Sequence, residues 1–144
     1  IPAPAGPDGL DLSAAPRAAA RAKLAYVTPS HQFPTGGVMP LARRLELLGW
    51  AGRTGAYVIE DDYDSEFRYG GRPVEAIQAL DRSGRVIYMG TFSKTMFPAL
   101  RIGYLVLPPA LVEPFKRAKW LVQKKNFWTN YKRPCQCYAL LLPA

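Results

Sequence analysis

Cysteine and histidine are scarce: two cysteines, Cys135 and Cys137, and one histidine, His31, in 144 residues. A structural zinc site takes four ligands in two spaced pairs. This inventory excludes one, and no metal is expected. A single Cys-X-Cys pair does not staple a fold either, so both thiols are expected to be reduced. Long apolar runs are also missing. Nothing approaches the roughly 18 consecutive apolar residues of a membrane span. The N-terminus lacks the basic stretch and apolar core of a secretory signal. The expected compartment is therefore the cytoplasm, with no membrane partner. A leading methionine is absent as well. The chain opens Ile1-Pro2-Ala3-Pro4 and carries no motif there, as expected of a sequence that starts inside a longer protein.

Acidic residues vanish from the end of the chain. From Lys116 onward there are seven basic residues (Lys116, Arg117, Lys119, Lys124, Lys125, Lys132, Arg133) and no Asp or Glu. The net charge of +8 is thus concentrated there, and the preceding residues balance to +1. The basic residues interleave with Trp120, Phe127, Trp128 and Tyr131, a pattern compatible with phosphate contact and base stacking. A solvated end is the plainer reading. What is present in quantity, 49% hydrophobic and 21% charged residues, is ordinary for a soluble globular domain.

Four short runs rich in β-branched and aromatic residues read as strands: 23–28, 56–60, 85–89 and 102–107. Residues 29–37, with two prolines and two glycines, read as a loop. Between 39 and 53, Leu41, Leu45 and Leu48 recur at helical spacing, with Leu47 and Trp50 widening the stripe. A second helix is expected from Pro108-Pro109 through Leu111, Val112 and Phe115, and a short one at 74–80. Strands alternating with helices predict an α/β domain with parallel neighbours. The last connection differs. Only residues 90–101, interrupted by Pro98, join the third strand to the fourth. A parallel crossover needs a dozen or more residues, usually with a helix, so the fourth strand is expected to run antiparallel and the sheet to be mixed.

In open α/β sheets ligands collect at the carboxyl ends of parallel strands. Two motifs are expected there. Glu60-Asp61-Asp62-Tyr63-Asp64-Ser65-Glu66 follows the second strand. Asp62, Asp64 and Glu66 alternate as in a calcium loop, but counted from Asp62 the sixth position is Phe67 rather than glycine and the twelfth is Pro73 rather than glutamate. The run reads either as a solvated loop or as carboxylates beside a buried strand end, one of them held against a cation. Thr91-Phe92-Ser93-Lys94 follows the third strand. Lys94 sits among the hydroxyls of Thr91, Ser93 and Thr95, seven residues before Arg101. Hydroxyls and a guanidinium are donors that suit a phosphate monoester, and a partly desolvated amine beside them can attack an aldehyde. Together with a carboxylate these are the parts of a pyridoxal phosphate site.

Three segments, at 28–36, 59–69 and 90–104, resemble the aminotransferase-like domain of MocR-type regulators of the GntR family. That domain belongs to the fold type I pyridoxal-phosphate enzymes, the aspartate aminotransferase superfamily, and the resemblance runs over roughly residues 8–117. It implies a three-layer α/β/α large domain with a mostly parallel mixed sheet, incomplete here. It implies that Lys94 carries pyridoxal phosphate as a Schiff base, that Asp61 pairs with the pyridine nitrogen, and that Tyr63 bonds the ring hydroxyl. Arg101, Thr91 and Ser93 would hold the phosphate. Where many aminotransferases have an asparagine before Pro34, this chain has Phe33, and His31 or Gln32 would take over part of that contact. The change favours the regulators.

The resemblance also implies parts that this sequence lacks: a glycine-rich phosphate turn, a ring-stacking aromatic and a winged helix-turn-helix upstream, and a small domain with a substrate-binding arginine downstream. Residues 1–117 are accordingly expected to be a partial large domain and 118–144 a divergent basic tail, of the kind a frameshift or assembly junction produces. The expected partners are an amino-group-bearing small molecule, a second subunit in the full-length parent, and DNA only through the absent helix-turn-helix. Three functions remain open. The chain derives from a MocR-type regulator, from a true amino-acid aminotransferase, or is a noncatalytic fragment whose tail binds nucleic acid. Little transamination is expected of this polypeptide alone.

Overall fold

The computed structural model describes residues 2–15, 21–63, 74–94, 96, 102–126 and 138–141. Asp64, Ser65, Glu66, Thr95, Pro98, Arg101, both cysteines and the tail residues Phe127, Trp128, Tyr131, Lys132 and Arg133 lie outside the described residues. Among those described, no helix is long and apolar enough to cross a membrane. No group of three or more His, Cys, Asp or Glu residues among them could hold a metal ion.

Strands β1 (Ala5–Gly6) and β2 (Gly9–Leu10) form a small antiparallel hairpin. The turn is Pro7-Asp8, and Gly9 follows it at φ 85°, where a side chain would be strained. The main sheet has five strands in the order β3 (Leu24–Val27), β4 (Tyr57–Asp62), β5 (Val86–Thr91), β6 (Ile102–Val106) and β7 (Tyr138–Leu141). Helix α1 (Leu41–Thr54) joins β3 to β4, and the single-turn α2 (Ile77–Leu80) lies between β4 and β5. Both of those strand pairs are parallel, as expected of helix-linked crossovers. The short connection after β5 returns antiparallel, and the sheet is mixed, as its length required. Helix α3 (Pro109–Asn126) begins at the expected prolines and leads to β7, which pairs parallel with β6. No β7 was expected from the sequence.

Val27, Val58 and Val86 from three adjacent strands meet Met39, Leu47, Ala51 and Ile77 in one buried cluster. Helices α1 and α2 therefore cover the same face of the sheet, and the whole is a partial α/β fold.

The inward stripe of α1 differs from the expected one. Leu41 and Leu45 are 48% and 51% exposed, while Arg44, Leu47 and Ala51 are buried. Leu47, Leu48 and Trp50 of the expected stripe do pack on the core, but Leu41 and Leu45 lie off it because an arginine occupies the centre of the inward face. Each of the three guanidinium nitrogens of Arg44 has a backbone acceptor there. The guanidinium donates to the carbonyls of Met39 (2.9 Å), Glu75 (2.9 Å) and Pro29 (3.0 Å). One cation thus ties the start of α1 to both ends of the loop before it and to the approach to α2. Gly55 ends the helix at φ 68°, in the left-handed region that glycine adopts at little cost.

Candidate functional site

Strand β4 runs two residues beyond its expected end, so Asp61 and Asp62 belong to the strand and not to a following loop. Successive side chains of a strand face opposite sides. The three carboxylates consequently have three different surroundings. Glu60 is fully buried on the helix side, accepting the backbone N–H groups of Ile77 (2.9 Å) and Gln78 (2.8 Å), with Arg44 at 3.9 Å. Burial pushes its carboxyl above the ordinary range, against the lowering effect of those two amides and of Arg44. Asp62 is also buried and accepts the Tyr88 hydroxyl at 2.7 Å. Burial and then that hydrogen bond push the Tyr88 phenol far up, keeping it protonated. Asp61 alone faces the other way.

On that other side an open cleft of about 470 Å³ is lined by Tyr26, Thr28, Gln32, Phe33, Asp61 and Tyr63, among others. The Tyr26 hydroxyl donates to Asp61 Oδ2. Tyr63, the first residue past β4, donates its hydroxyl to the His31 carbonyl at 2.9 Å and so bridges to the loop after β3. That loop is pinned internally. Met39 N–H donates to the Pro29 carbonyl (2.9 Å) and Gln32 N–H to the Gly37 carbonyl (2.7 Å). Within it the Phe33–Pro34 peptide is cis and the Phe33 ring is 73% exposed.

Strand β5 also runs further than expected, ending on Thr91. The Thr91 hydroxyl donates to the Ile102 carbonyl (3.2 Å) and accepts the Ser93 N–H (3.1 Å), shaping the turn that presents Lys94. Lys94 is exposed, and its Nζ lies 4.9 Å from the centre of the Tyr63 ring, within cation–π range. Behind the turn Phe92 and Tyr104 stack with ring centres 4.8 Å apart. Tyr104 in turn lies against Gly90, where a β-carbon would overlap its ring.

Of the residues singled out in the sequence, Asp61, Tyr63 and Lys94 thus come together at the carboxyl ends of β4 and β5. Thr91 and Ser93 form the adjoining turn. Arg101 is outside the described residues. His31 meets the site through its backbone carbonyl while Gln32 lines the cleft. Sequence reasoning missed Tyr26 and Thr28. Tyr26 pairs in register with Ile59, so Asp61, two residues on, is its diagonal neighbour on the same face, within reach of a long aromatic side chain. Nothing in the sequence announces a register.

The family model for aminotransferase class I and II matches residues 10–122. The probable rhizopine catabolism regulatory protein MocR of Rhizobium meliloti is 54% identical over 117 residues, 81% of this chain and 23% of the relative. Aromatic-amino-acid aminotransferase 1 of Thermococcus litoralis is 39% identical over 110 residues, 76% of this chain and 26% of the relative. Among solved structures, the α-aminoadipate aminotransferase LysN of Thermus thermophilus, complexed with N-(5'-phosphopyridoxyl)-L-leucine, superposes with a TM-score of 0.76 at 35% identity. The match covers 85% of this chain and 33% of that one. The chain spans about a quarter of the length of the curated relatives it matches.

Proposed function

The chain belongs to the class I and II aminotransferase family, and on that premise we propose that its cleft binds pyridoxal phosphate within the aminotransferase-like domain of a MocR-type regulator. One observation carries the cofactor reading. At the carboxyl ends of two adjacent parallel strands, the Lys94 amine lies 4.9 Å from the centre of the Tyr63 ring, and Tyr63 lines an open cleft together with Asp61.

The donor set fits the group. Asp61 is a carboxylate set in a cleft wall and held by a neutral phenol, suited to a protonated ring nitrogen. The Tyr63 phenol lines the cleft and would bond a ring oxygen by giving up the His31 carbonyl, to which its hydroxyl donates in the present geometry. Ser93 and Thr91, with Arg101, would hold the phosphate. In the present geometry Thr91 spends its proton on the Ile102 carbonyl, so Ser93 and Arg101 carry more of that task. Lys94 would hold the aldehyde. When bound, the cofactor supplies an electron sink for the carbon bearing the substrate's amino group. The chain's own part is to fix the ring's orientation, keep its nitrogen protonated and offer an amine at the cleft edge.

The regulator reading is supported by 52% and 54% identity to proteins described as regulators and by Phe33 in place of asparagine. A second reading, a genuine aminotransferase, is favoured by the superposition on LysN. The two separate in the full-length parent: a regulator binds a specific DNA site and an aminotransferase turns over amino acids. DNA contact by the parent would run through a helix-turn-helix outside this chain, and a second subunit is proposed for the parent alone.

The cofactor reading is tested by mixing the chain with pyridoxal phosphate, reducing with borohydride and mapping the modified peptide. The expected label is on Lys94, lost in Lys94→Ala. Labels spread over other lysines with none on Lys94 would overturn the assignment.

A further inference from the structure

Two carboxylates adjacent in sequence, Asp61 and Asp62, each receive a phenol on opposite faces of the sheet, from Tyr26 and Tyr88 respectively. In the Asp62–Tyr88 pair the carboxylate is buried and the phenol half-buried on the helix side, and the pair reads as packing. The Asp61–Tyr26 pair stands in the cleft wall, and the Tyr26 side chain is 58% exposed.

We propose that Tyr26 is a positioning residue for Asp61: its hydroxyl fixes the carboxylate through Oδ2 and keeps the proton shared with the cofactor on the ring nitrogen. This rests on the reading that Asp61 faces that nitrogen. The physical argument has two parts. A carboxylate turns about its last torsion with little resistance, and a donor on one oxygen leaves the other aimed at the remaining partner. A hydrogen bond to an ionised carboxylate also favours that form over the protonated one, so the carboxylate does not take the proton from the pyridinium. The donor is available at all neutral pH values. Burial, then the bond to Asp61, pushes the Tyr26 phenol up to about 12. Phenylalanine at this position would keep the ring in the wall and remove only the donor.

The experiment uses the full chain loaded with pyridoxal phosphate carrying ¹⁵N in its ring, for the parent chain, Tyr26→Phe, Asp61→Asn and the double variant. The ¹⁵N shift reports whether the nitrogen is protonated, and quenching of protein fluorescence gives the cofactor Kd. In Tyr26→Phe the shift is expected to move toward that of neutral pyridine, part of the way to Asp61→Asn. The Kd should rise on the order of 3- to 10-fold, the range of one lost hydrogen bond. The double variant should match Asp61→Asn alone. A purely structural role would lower the melting temperature and leave the ¹⁵N shift in place. If Asp61→Asn moves the shift and Tyr26→Phe does not, the Tyr26 inference falls and the Asp61 reading stands. If Asp61→Asn has no effect, or the unaltered chain binds no cofactor, both fall.

Discussion

Gly90 has its β-carbon position filled by the Tyr104 ring, and Tyr104 stacks on Phe92 within the turn that leads to Lys94. A methyl group at Gly90 must displace that ring. Overpacking of this kind costs about 1–3 kcal/mol, so Gly90→Ala should lower the melting temperature, measured by circular dichroism. The added change Tyr104→Leu should recover part of the loss. No recovery would mean that the strain lies elsewhere. Residues also differ in how readable they were. The placement of Lys94 and Asp61 at the ends of adjacent strands was legible because both follow runs of β-branched and aromatic residues. Tyr26 was not, since its role depends on a partner 35 positions away that only the pairing of β3 with β4 brings near.

At the level of elements, strands, helices and the antiparallel return of β6 followed from alternation, proline placement and connection length. The extra residues of β4 and β5 did not, because acidic and hydroxyl residues read as loop while hydrogen bonding to a neighbouring strand overrides that preference. The centre of the inner face of α1 was likewise hidden. A buried arginine is rare enough that periodicity of leucines outweighs it, and its acceptors are backbone carbonyls with no signature. Glu60 completes that arrangement by holding the first two amides of α2. Removing it leaves those two amides without their acceptor, and Glu60→Ala should cost about 1–3 kcal/mol. Its pH dependence has a definite sign. The folded carboxyl titrates above its ordinary value of 4.5, so the folded chain holds this proton more tightly than the unfolded one. Glu60's contribution is fully present below the ordinary value and is lost as pH rises through the raised one. Urea titrations across that window should show this downward slope, and Glu60→Gln should flatten it. Equal slopes in the two chains would rule out Glu60 as its source.

For the whole molecule, the uneven charge matters most. Pyridoxal phosphate is an anion, and the basic residues beyond Lys116 will attract it without any cleft. Screening shortens such attraction to about 10 Å at 0.1 M salt. Raising the salt before borohydride reduction should therefore strip label from Lys124, Lys125 and Lys132 while that on Lys94 persists, as read by peptide mapping. Equal loss at all four would place Lys94 among the non-specific sites. The proposed division at residue 117 falls inside α3, which runs to Asn126. The helix thus carries the chain from the nearly neutral body into the basic stretch without a break in its backbone. That continuity could not be read from an abrupt change in composition.

The opposed aspartates of β4 have one more consequence. Slipping β4 by one residue against its neighbours would exchange the faces of Asp61 and Asp62, leaving a carboxylate on each side and the strand content unchanged. Polarity at the strand end therefore offers little resistance to a misthreaded sheet that looks native by circular dichroism and has no functional cleft. Val58 and Glu60 supply the resistance. In the slipped sheet Val58 would leave the core cluster and the Glu60 carboxylate would leave the two α2 amides and Arg44, so two residues that take no part in the cleft hold the register on which it depends.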